Sequence, residues 1–125
     1  MVKLSLNNVV GHFRQLSGCD ADEANANLGI IKNSVSRISV SLDDKKSSES
    51  GVQSAEYAAA ACAFYDYVCA EHAKSRIFCT LTGSASQDTN YKSRIESAKS
   101  LRDSSLEAIK PITLGCDFLF RTMEG

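Results

Sequence analysis

Cys62, Cys69 and His72 share one helical face, seven and three residues apart. Cys-x-x-His on a helix offers two groups that zinc accepts, but a structural zinc site takes four ligands. The remaining candidates, His12, Cys79 and Cys116, sit at unrelated spacings. Nucleophilic use of the same pair would need an exposed, activated thiol and a third group to orient the histidine. The stretch that carries them, SAEYAAAACAFYDYVCAEH, is alanine-rich and nearly free of charge in its middle. Free cysteine in such a setting behaves as a small buried hydrophobe. His72, near the expected end of the helix, reads as a residue that meets the helix dipole. The cysteines are therefore assigned to the core and none of these residues is given a metal, a cofactor or a catalytic role, so the chain is not expected to be an enzyme.

Other chemistry is equally sparse. Asp43, Asp44, Glu49 and Glu56 cluster in or beside a polar stretch and read as solubilising charges. Gly18, Gly29, Gly51, Gly83, Gly115 and Gly125 are too scattered to build a phosphate loop. Lys92, Arg94, Lys99 and Arg102 are interleaved with Glu96, Asp103 and Glu107 at helical spacing. That is the pattern of a solvated, salt-bridged face. In a protein lining a DNA passage, the same four basic residues would be those that meet phosphates.

The elements that position these groups follow from periodicity. With 125 residues, 43% hydrophobic and 23% charged, the chain has the length of a single domain able to bury a core. A net charge of −1 favours neither nucleic acid nor an anionic membrane in bulk. Neither a signal peptide nor a membrane span is expected, because the N-terminus lacks an apolar core and Asp66 interrupts the longest low-charge run. Five widely spaced cysteines read as reduced cytoplasmic thiols.

Tyr57, Ala61, Phe64 and Val68 fall on one face of the alanine-rich segment, and Ala58, Cys62, Tyr65 and Cys69 fall beside it. A helix apolar around most of its circumference must be covered on several sides. Residues 54–73 are therefore the expected centre of a helical bundle, with Tyr57, Ala61, Phe64, Val68 and Leu106 buried. A first helix over 5–16 carries Leu6, Val9, Val10 and Phe13, with Ser5 as cap and Gly18 as stop. A capping-box pair, Asp20 and Glu23, opens a second helix expected over 21–39, with Ala24, Leu28, Ile31, Val35 and Ile38 inward and Lys32, Asn33 and Arg37 in water. Gly29 inside it costs about 1 kcal/mol relative to alanine, which close packing against another backbone at that point would offset. Residues 41–53 read as an exposed, mobile loop.

After the central helix, RIFCTLT (76–82) alternates with period two, which predicts a short strand closed by Gly83. A last long helix, capped by Asp88 or Thr89, runs through Tyr91, Ile95, Ala98, Leu106 and Ile109 until Pro111. An apolar tail over 113–125 holds Leu114, Phe118, Leu119, Phe120 and Met123. The expected fold is mainly α: three long helices and a shorter N-terminal one, with one strand or hairpin segment and a docking tail.

The helix DADEANANLGIIKNSVSRI, the central helix AEYAAAACAFYDYVCAEH, the passage from RIFCTLT through EAIKPI, and the closing DFLFRTM follow an order that resembles head–tail connector (adaptor) proteins of tailed phages and prophages. The resemblance covers nearly the whole chain, as architecture without an invariant motif. It implies a small helical, non-enzymatic protein, assembled in the host cytoplasm and residing in the virion neck. Such a protein forms a homo-oligomeric ring between the portal and the next neck or tail protein and extends the DNA channel. Carried onto this chain, it implies contact through Ile77, Phe78, Leu81, Phe118, Leu119, Phe120 and Met123, non-specific passage of DNA, and no membrane. The competing expectation is a small cytoplasmic regulatory or adaptor domain that binds one protein partner.

Overall fold

The computed structural model describes the backbone of residues 2–82 and 88–114 and the side chains of 2–77 and 91–114. Among the described residues five α-helices follow in order: α1 Leu6–Ser17, α2 Ala21–Ala26, α3 Leu28–Ser41, α4 Glu49–Thr82 and α5 Asp88–Ile109, closed by a 3-10 turn over Lys110–Ile112. The fold is a small, mainly α bundle. α4 is its axis, and α1, α3 and α5 all pack on it.

Local chemistry explains most boundaries. Ser5 accepts from the Asn8 N–H to open α1, and Gly18, at φ 76°, closes it by donating to the Arg14 carbonyl. That dihedral is one glycine adopts without steric cost. Asp20 and Glu23 form a reciprocal capping box at the start of α2. Val9 and Phe13 carry α1 into the core, while Leu6 and Val10 are half-buried.

From Ala55 to Ala63 every residue of α4 except half-buried Tyr57 is buried. Ala61, Tyr65, Val68 and His72 fall on one stripe at steps of three and four. Arg102 over the Tyr65 ring (4.3 Å) and His72 stacked on Tyr91 (5.5 Å) place that stripe against α5. Another side of α4 meets α1 through Phe13 and Tyr67, whose rings lie edge to face at 5.5 Å. Of the five residues expected to be buried, Ala61, Val68 and Leu106 are fully so, whereas Tyr57 and Phe64 are half-buried.

Several expectations are corrected. The single helix over 21–39 is two helices broken at Asn27, whose side-chain amide donates to the Glu23 carbonyl at 2.8 Å. Asparagine competes with the helical ladder in this way, and the unbroken apolar spacing across the break conceals it. Arg37 is not in water; it is half-buried and pairs with Asp66 at 3.2 Å. Gly29 is not a packing site, since a Cβ there would meet nothing within 4 Å. The close approach is at Gly51, where a Cβ would lie 3.2 Å from Ile112 Cδ1.

The segment 41–53 is not a loop throughout. α3 runs to Ser41, α4 starts at Glu49, and Leu42 between them is buried in an antiparallel bridge with Thr113. Asp43 N–H donates to the Ile112 carbonyl and Leu114 N–H to that of Ser41, each at 2.8 Å. Asp43 then folds the turn by accepting from the Lys45 N–H on its side chain and from Ser47 Oγ on its carbonyl. The strand expected over 76–82 is helical backbone continuing α4. Extending an existing helix adds one hydrogen bond per residue and requires no new nucleus, which outweighs the modest β preference of RIFCTLT. Of the tail expected over 113–125, Thr113 and Leu114 are as just described, and the rest lies outside the described residues.

Two substitutions test this packing with opposite signs. Ala61→Leu should destabilise by about 1–3 kcal/mol through overpacking, because Ala61 is wholly buried. Gly29→Ala should stabilise by about 1 kcal/mol, because the added methyl meets open space. Urea unfolding followed by circular dichroism reads both.

Candidate functional site

Three features of the described structure can bind, assemble or titrate. The first is a groove of about 710 Å³ between α1, the start of α4 and the end of α5. Asn8 and His12 line it from α1, Ser50, Gln53 and Ser54 from α4, and Leu101, Ser104 and Ala108 from α5. Glu56 and Tyr57 also border it, with the His12 ring set edge-on to Tyr57 at 5.4 Å.

Glu56 is not the solubilising charge expected from its neighbourhood. It is 4% exposed, accepts from the Ser5 N–H at 2.6 Å, and accepts from Asn8 Nδ2 at 3.2 Å. The carboxylate thus caps α1 from α4, where the helix dipole favours negative charge. The sequence signal was available only in three dimensions, because Ser5 and Glu56 are far apart in the chain.

The second feature is a polar seam midway along α4. Burial raises the Asp66 carboxyl above its ordinary range, and Arg37 and Arg102 oppose that shift. Arg102 is not on a solvated face: it is 6% exposed, lies over Tyr65, and pairs with Asp103 at 3.0 Å. The other three residues considered for a DNA channel, Lys92, Arg94 and Lys99, are exposed. Burial pushes the Cys62 thiol up to about 12, so at neutral pH it is a protonated core group and not a thiolate nucleophile. Cys19 and Tyr67 are hydrogen-bonded, and that bond, followed by burial, raises the Tyr67 hydroxyl to about 12. A hydrogen bond to Cys69, followed by burial, likewise raises Tyr65. His72 does not end its helix, since α4 continues to Thr82; it stacks on Tyr91 instead. Among the described residues no group of three His, Cys, Asp or Glu side chains could hold a metal ion.

The third feature is the far end of α4. Its 34 residues correspond to about 51 Å of helix, against roughly 18 Å for α1 and 21 Å for α3. The contacts that α1 and α3 make through Glu56, Tyr57, Asp66 and Tyr67 all lie in its first two-thirds. Further along, exposure rises, and Ile77 is 64% exposed. Of the residues expected to make subunit contacts, Ile77 is thus at the surface. The side chains of Phe78, Leu81, Phe118, Leu119, Phe120 and Met123 lie outside the described residues, as do those of Cys79 and Cys116. At the opposite end, Val40 (53%) and Leu114 (67%) are exposed beside the Leu42–Thr113 bridge. None of the described helices is long and apolar enough to cross a membrane.

Comparison of the chain with family models, with curated proteins and with solved structures found no match.

The seam carries a pH prediction. Asp66 has its folded-state pKa raised, so the native state takes up a proton before the unfolded chain does. Its contribution to stability is fully present below the unfolded value and is lost as pH rises through the folded one. Wild type should therefore gain stability relative to Asp66→Asn as pH falls from neutral into the carboxylate range. At neutral pH the two should differ by no more than about 1 kcal/mol, because the Arg37 pair is partly solvated. Urea unfolding of both proteins across this pH range checks the sign.

Proposed function

We propose that this chain is a structural assembly protein of the head–tail connector kind. It forms a ring between a capsid portal and a tail component and extends the DNA channel. The observation that supports the reading is a pair of exposed apolar ends. Ile77 lies about 39 Å along α4 from Gly51, and Gly51 packs beside Ile112, next to the end that exposes Val40 and Leu114. Two different apolar ends on one subunit suit heterologous contacts, in which one surface meets an unlike surface of a neighbour and a ring closes. Large apolar side chains are costly to leave in water, about 1.5–3 kcal/mol each for full burial, so contact with a neighbour stabilises both ends. Lys92, Arg94 and Lys99 supply the exposed cations of such a channel, and Arg102 does not.

The test is native mass measurement of the protein alone and with portal rings encoded alongside it. Wild type should join the portal in multiple copies. Ile77→Asp should keep its helical circular dichroism, because Ile77 is mostly exposed, yet lose ring incorporation. Normal incorporation of Ile77→Asp would overturn the reading, as would a one-to-one complex with a single regulatory partner in place of a ring.

A further inference from the structure

We draw no further inference here: the strongest candidate, the face of α4 beyond Asp66 on which Ala70, Ala73 and Ile77 recur at steps of three and four with Ala73 and Ile77 exposed, is an apolar face and nothing in the structure shows what covers it.

Discussion

The fold depends on how closely other helices can approach α4 between Ala55 and Ala63. Seven of these nine positions are alanine or cysteine with essentially no exposure. Small side chains bring neighbouring backbones near, and the larger residues come from the covering helices: Val9 and Phe13 from α1, Ile31 and Ile38 from α3, Leu106 and Ile109 from α5. Ser34 belongs to the same logic. It is fully buried on α3, and its hydroxyl has no hydrogen-bond partner among the described residues. That costs some free energy, which the close packing of α3 offsets. A larger residue at any of these positions moves a whole helix, since interiors at crystal-like density have little room to yield.

An alanine surface is smooth and says little about register, so polar contacts settle how the helices slide. Glu56 fixes the start of α1 against α4, and Arg37 with Asp66 fixes α3. Arg102 over Tyr65 fixes α5. Each involves one polar group partly or wholly withdrawn from water, and a slip of one turn would leave that group unpaired. A buried unpaired charge costs far more than a pair contributes. Specificity therefore comes from the penalty for misregister. The Leu42–Thr113 bridge does the same for the chain ends by tying the α3–α4 connector to the segment after α5.

Much of this was legible in the sequence where the physics is local. The Ser5 and Gly18 caps, the Asp20–Glu23 box and the central position of the alanine-rich helix depend on residues within a few positions of one another. Three kinds of feature were hidden. Asn27 breaks a helix through its own side chain while the apolar spacing runs on unbroken. RIFCTLT has the period of a strand, but the helix preceding it makes continuation the lower-cost path. Glu56, Arg37 and Arg102 look like surface charges until the tertiary fold supplies their partners. In the groove, serines and a lone carboxylate have no sequence spacing that announces a site.

The groove and the exposed ends are chemically unlike surfaces. Apolar contact at Ile77 or Leu114 is non-directional and scales with area, so it can hold a neighbour without choosing it. The groove is lined mainly by polar side chains, among them Asn8, His12, Gln53 and Ser104, and polar contacts are directional. The groove is built from the same Glu56 that caps α1, so its geometry is held by the core and not by a loop. Side chains carried on packed helices are held in position, and that lowers the ordering cost of any contact they make. Ile77 lies about 39 Å along α4 from Gly51, which is next to the groove-lining Ser50, so a change at Ile77 need not disturb the groove.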